Sequence, residues 1–174
     1  ADPERKIHQN AWKETSRIVN FAREERTLFL SILGISWFWF FGSAMTIQIP
    51  GYTLEILNGN EAITTLLLAA FAVGVGTGAL LCERMSGHRI ELGLVPFGSI
   101  GLTVFAMDLY FAQPEVSALP VATLGEFLAR DGSLRILLDL ALLGAFGGFY
   151  SVPLYALIQK RSERQHLSRI IAAN

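Results

Sequence analysis

The sequence predicts an all-α integral membrane protein with four spans, and three observations predict it. Hydrophobic residues make up 52% of the 174-residue chain against 17% charged, and the mean hydropathy is +0.43. Most of the charges sit in the first 26 residues and in a few short clusters, with long apolar runs between them. Four of those runs reach the roughly 20 residues that carry a helix across hydrocarbon. Lipid offers no partner to backbone N–H and C=O groups, so such runs form helices and not the strands of an open sheet.

The first span covers about residues 28–48, "LFLSILGISWFWFFGSAMTIQ". Its run Trp37-Phe38-Trp39-Phe40-Phe41 is too consecutive for one helix face, so some rings meet lipid or an acyl chain and others pack inward. Gly34 and Ser36 beside them permit close helix approach. The second span covers about residues 62–81 and contains "FAVGVGTGALL". That stretch reads as G-x-G-x-x-A, near a dinucleotide fingerprint, and as G-x-x-x-G (Gly74, Gly78), a membrane-helix packing pattern. A nucleotide loop must follow a strand and open a soluble helix. Here the flanks are apolar, so the packing reading is the one kept. Gly74 and Gly78, with Ala70 a turn earlier, make a smooth strip for another helix. Leu66, Leu67 and Phe71 lie beside it, toward lipid or core.

The third span covers about residues 92–112, and the fourth about 134–158, long enough to tilt. Pro96 and Pro153 inside them favour kinks, and Gly144, Gly147 and Gly148 before Pro153 favour a bend. The connection 113–133 has turn residues at both ends, and its "VATLGEFLAR" predicts a short interfacial helix. The tail stretch "WKETSRIVNFAREER" reads as an interfacial helix or as a solvated linker. The organisation is therefore a cytoplasmic linker or interfacial helix over 1–26, a four-span region over 27–169, and the start of a further, truncated helix over 170–174.

Charge sets the expected orientation. Six Arg and Lys lie in the tail (Arg5, Lys6, Lys13, Arg17, Arg23, Arg26), two follow span two (Arg84, Arg89) and four follow span four (Lys160, Arg161, Arg164, Arg169). With alternating spans all three regions share one side, which the positive-inside rule makes cytoplasmic. Only Arg130 and Arg135 lie elsewhere.

Ionisable groups inside a bilayer are costly, so each is a functional candidate. Asp108 lies near the outer end of span three. Asp139 lies about one turn into span four, and Arg135, four residues before it, shares its helix face. The functional reading is a coupling-ion or head-group site on a transport path; the plain alternative is a pair snorkelling near the interface. Gln48, Tyr150, Tyr155 and Gln159 are further transport-path candidates, able to hydrogen-bond a head group, although interfacial Tyr is also ordinary belt placement. Lys160, Arg161, Arg164 and Arg169 suit anionic head groups or serve as topology determinants.

No catalytic motif is present. His8, His88 and His166 lack ligand spacing, so no metal and no cofactor is expected. "FGSIG" is not G-x-S-x-G. The lone Cys82 excludes an internal disulfide, and no basic patch interleaved with aromatics suggests nucleic acid.

Several stretches resemble the major facilitator superfamily: "SILGISWFWFFG" (31–42), "GTGALLCERMSGHRIELGLVPFGSIGL" (76–102), "LLGAFGGFYSVPLYALIQKRS" (142–162) and "SRIIAAN" (168–174). More narrowly they resemble its bacterial lysophospholipid transporter branch, which includes forms fused to a phospholipid acyltransferase and acyl-carrier-protein synthetase. "SWFWF", "LLCERMSG" and "VPLYALIQ" are the specific parts. The resemblance implies four helices, 7 to 10, from the C-terminal half of a twelve-helix transporter, with "SRIIAAN" opening helix 11. It implies transport of a lysophospholipid across the bacterial inner membrane, with the bilayer, the remaining helices of the parent and a fused acyltransferase as partners. Gly78, Glu83, Arg84, Gly87 and Arg89 resemble the superfamily's G-x-L-x-D-R-x-G-R-R gating loop, with Glu for Asp and one extra residue before it. A charge latch at the cytoplasmic mouth is what that loop implies. The alternative function is a membrane anchor or scaffold for an acyltransferase, and another transported substrate is the fallback.

Overall fold

The computed structural model describes residues 26–87, 91–112, 121 and 123–161. The expectations for residues 1–25, Arg89, Arg164, Arg169 and 170–174 lie outside them. The described residues are all-α: α1 (Arg26–Gly51) with a π-helical extension (Tyr52–Ile56), α2 (Glu61–Ser86), α3 (Leu94–Phe111), the short α4 (Leu124–Ala129) and α5 (Ser133–Arg161). α1 with its extension, α2, α3 and α5 are each long and apolar enough to cross a membrane.

The first span is longer than the expected 28–48. Pro50-Gly51 does not end the helix. The chain slips to wider i→i−5 hydrogen bonds immediately after it, and Leu57 N–H donates to the Tyr52 carbonyl at 3.1 Å. Pro withdraws a donor and Gly is the least helix-forming ordinary residue, so the register shifts where the helix is weakest. The Thr53 hydroxyl donates to the Ile49 carbonyl (2.9 Å) and is fully buried. A tight turn follows with Asn58 at φ 49°. Asn60 caps α2, its side chain accepting from the N–H groups of Ala62 and Ile63.

α2 ends at Gly87, whose left-handed φ of 55° and bond back to the Arg84 carbonyl make it the terminator of that helix. Pro96 does not kink α3. It is the third residue of the helix, where a missing N–H has no intrahelical acceptor to lose. The helix expected in "VATLGEFLAR" forms at Leu124–Ala129, opened by a capping box between Thr123 and Glu126.

α5 is the centre of the arrangement, and α1, α2 and α3 each pack on it. Most of its apolar stretch is buried (61%), against 22% or less for the other three, whose large side chains such as Leu30, Phe40, Ile47, Val73 and Ile100 point outward. A water-soluble bundle hides such residues; helices that turn them outward face lipid.

The tightest contact is between α2 and α5, which run parallel. A methyl group added at Gly74 would overlap the Ala141 carbonyl, and one at Gly78 the Ala145 carbonyl. From the other side, Gly144 lies against the backbone of Phe71 and Val75, and Gly148 against that of Gly78 and Ala79. Two G-x-x-x-G pairs thus interlock, backbone on backbone. Leu67, on the same strip as Gly74, is fully buried. Gly144, Gly147 and Gly148 are packing points in a helix that runs unbroken through Pro153.

Substituting Gly74 or Gly78 with Leu should lower the melting temperature of the detergent-solubilised chain sharply, since overpacking costs about 1–3 kcal/mol even where side chains can give way. Gly76→Ala, on the open face of the same helix, should leave it unchanged. Thermal melts followed by circular dichroism compare the two.

Candidate functional site

One end of the bundle, where α1 runs into α2 and α3 into α5, is plugged. Ile49, Leu57, Ile63, Val121, Phe127 and Ile136 form one buried cluster there. Two bonds stitch the α3–α5 connection to the α1–α2 turn: Val121 N–H to the Asn58 carbonyl (2.8 Å) and Arg130 Nη1 to the Leu57 carbonyl (3.2 Å).

Near this plug sit the ionisable groups, the Asp108–Arg135 pair exposed and Asp139 buried. Arg135 does not turn to Asp139, its neighbour one turn along α5. It reaches across to α3 and grips Asp108 with both arms, Nε to Oδ2 at 3.1 Å and Nη2 to Oδ1. Such fork-to-fork pairing fixes geometry as well as charge. Asp139 is 3% exposed, and its Oδ2 has no hydrogen-bond partner. Its carboxyl adjoins both the Asp108 carboxyl and the Arg135 guanidinium. The cluster therefore holds two acids and one base. Tyr52, on the π-helical extension of α1, also has a buried hydroxyl without a partner. Tyr52 was not among the sequence candidates, because the first span is expected to end at Gln48 and leaves it in the connection.

α1 and α3 hardly touch one another, each resting on α5. Between them lie two adjoining cavities of about 410 and 220 Å³, which share Ala106 and Tyr110. The larger is walled by Trp37, Phe41, Leu102 and Met107; the smaller continues past Met45 to Gln48 and Tyr52. Trp37 and Phe41 stack along the wall with ring centroids 5.6 Å apart.

The other transport-path candidates lie apart from this cluster. The Tyr150 hydroxyl donates to the Gly34 carbonyl (3.3 Å). The Tyr155 hydroxyl accepts from Trp39 Nε1 (2.6 Å). Both are ties between α1 and α5. Gln159 and Lys160 are exposed at the far end of α5. Arg161 closes α5. Glu83 and Arg84 are exposed in the last turn of α2, and Gly78 lies in the α2–α5 contact. Gly87 ends the helix. Among the described residues no group of His, Cys, Asp and Glu is placed to hold a metal ion. Cys82 is buried.

Compared with protein-family models, curated proteins and solved structures, the chain matches none.

Arg135→Gln should leave two adjoining carboxyl groups without their cation and lower the melting temperature. Adding Asp108→Asn should restore part of the loss. A double-mutant cycle on thermal stability should show the double variant losing less than the two single losses together; additive effects would mean the pair does not form.

Proposed function

We propose that the chain is part of a secondary transporter of the major facilitator type and that it moves a lysophospholipid by alternating access. The observation that carries this reading is the Asp108–Arg135–Asp139 cluster, contributed by two membrane-spanning helices, with Asp139 buried. Charged groups in such a place are expensive and go with pathways for ions or polar head groups. A membrane anchor, the competing reading, has no use for a buried acid with an unpartnered oxygen. The lysophospholipid substrate rests on the sequence stretches 31–42, 76–102 and 142–162, and so do the twelve-helix parent and a fused acyltransferase. The exposed Glu83 and Arg84 at the end of α2 suit a latch at the mouth of such a transporter.

The distribution of Arg and Lys supports a tail and an α2–α3 turn on the cytoplasmic side; the bacterial inner membrane rests on the sequence resemblance. In a Cys82→Ser background, Glu61→Cys should react with an impermeant maleimide in spheroplasts and Glu91→Cys should not; the reverse pattern would invert the orientation.

The full-length parent should support uptake of radiolabelled lysophosphatidylethanolamine into spheroplasts, and Asp139→Asn or Arg135→Gln should reduce it at least tenfold. Uptake that is unchanged when the gene is deleted removes the substrate assignment.

A further inference from the structure

The acid cluster holds more negative charge than its base answers. Asp108 and Asp139 adjoin one another, with Arg135 beside them. Arg135 turns its fork to Asp108, through Nε at 3.1 Å and through Nη2. Asp139 is 3% exposed, and its Oδ2 has no donor. As a carboxylate it would be a buried charge next to a second carboxylate, without a base of its own. Such a charge is costly inside a protein and costlier inside a bilayer.

The other ionisable groups of this end are turned elsewhere. Arg130 donates to the Leu57 carbonyl, and Glu126 is held in the capping box that opens α4. Glu55, Glu61 and Asp131 are exposed. The buried Tyr52 hydroxyl stands without a partner.

A proton meets the excess charge with the fewest demands. Two ionised carboxyls only accept, so they repel; one proton makes one of them a donor and turns the pair into a hydrogen bond. A metal ion asks for more oxygens, and among the described residues no group of His, Cys, Asp and Glu is placed to hold one. The proton belongs on Asp139. Asp108 is partly exposed and has the guanidinium fork to stabilise its charge; Asp139 is buried and has no such fork.

We propose that Asp139 binds a proton shared with Asp108, and that this proton decides which acid Arg135 holds. With the proton in place Asp139 is neutral, and the guanidinium ties α5 to α3 through Asp108. When the proton leaves to water, Asp139 becomes a carboxylate one turn from Arg135 on the same helix face. It then competes for the guanidinium, and the tie between the helices loosens. The cluster is a pH-sensitive clasp on the α3–α5 contact. The inference stands on the geometry of the cluster, whatever substrate the parent carries.

The test uses the purified full chain in lipid nanodiscs, with isotope-labelled aspartate carboxyls. At neutral pH, where exposed aspartates are ionised, infrared spectra should show a protonated-carboxyl C=O band that moves with the label and is lost at alkaline pH. Asp139→Asn should remove that band. Asp139→Glu should keep a protonated band that no longer moves with the label, and it serves if Asp139→Asn fails to fold. Solid-state NMR should show a contact between the Arg135 guanidinium and the Asp108 carboxyl carbon at neutral pH. That contact should fade over the pH range in which the band is lost, and in Asp139→Asn it should persist throughout. The absence of the band at neutral pH overturns the proton site. So does a band that survives Asp139→Asn, or one that still moves with the label in Asp139→Glu. A band abolished by sodium ions at constant pH assigns the site to a metal cation and overturns it as well. An Arg135–Asp108 contact unchanged across the loss of the band overturns the clasp. The band without lysophospholipid uptake by the parent removes the substrate reading and upholds the proton site.

Discussion

The rest of the structure depends on the backbone contact between α2 and α5. In hydrocarbon, apolar side chains gain little by leaving lipid for one another, so helices associate through close packing and polar ties. Gly74 and Gly78 against Ala141 and Ala145, with Gly144 and Gly148 returned against α2, provide the closest packing that two helices permit. That contact occupies one side of α5. α3 takes another side through Gly98 and Gly101, which meet the Tyr150 backbone and the Phe146 ring. α1 takes what remains, with Phe38 on Gly147 and the Tyr150 and Tyr155 ties. Each neighbour thus stands where small residues on one surface or the other let it approach.

The arrangement has a consequence for chemistry. α1 and α3 both rest on α5 and leave a gap between themselves, and the acids adjoin one another where α3 is laid on α5. Asp108 comes from α3, Arg135 and Asp139 from α5, and Tyr52 from the extension of α1. No single helix carries the cluster, so its geometry follows from the packing. The π-helical slip after Pro50-Gly51 matters for the same reason, because it keeps Tyr52 within helical structure immediately past the point where a proline and glycine invite the chain to leave.

What the sequence made legible follows the reach of each signal. Span number and type were readable because about 20 apolar residues suffice to identify a membrane helix. The spacing of Gly74 and Gly78 is visible in the chain; the groups lying against them, 67 residues further on, are not. Gly144 and Gly148 carry the same spacing, but Pro153 nearby drew them into the reading of a bend. Arg135 and Asp139 are neighbours in sequence, whereas the guanidinium is held by Asp108, 27 residues away, a choice made only when α3 is laid on α5. Tyr52 was hidden because the expected span stops at Gln48, whereas the helix continues past Pro50-Gly51. The plug escaped notice because Val121, Phe127 and Leu57 look like ordinary loop and end residues until the α3–α5 connection folds back over the α1–α2 turn.

The central claim is that α2 lies backbone on backbone against α5 through Gly74 and Gly78. The most direct measurement is a carbon–carbon correlation spectrum by solid-state NMR, on the chain in lipid with its glycine and alanine Cα atoms labelled. The account predicts cross-peaks of Gly74 Cα with Ala141 Cα and of Gly78 Cα with Ala145 Cα. Their absence, with the correlations inside each helix intact, would contradict it.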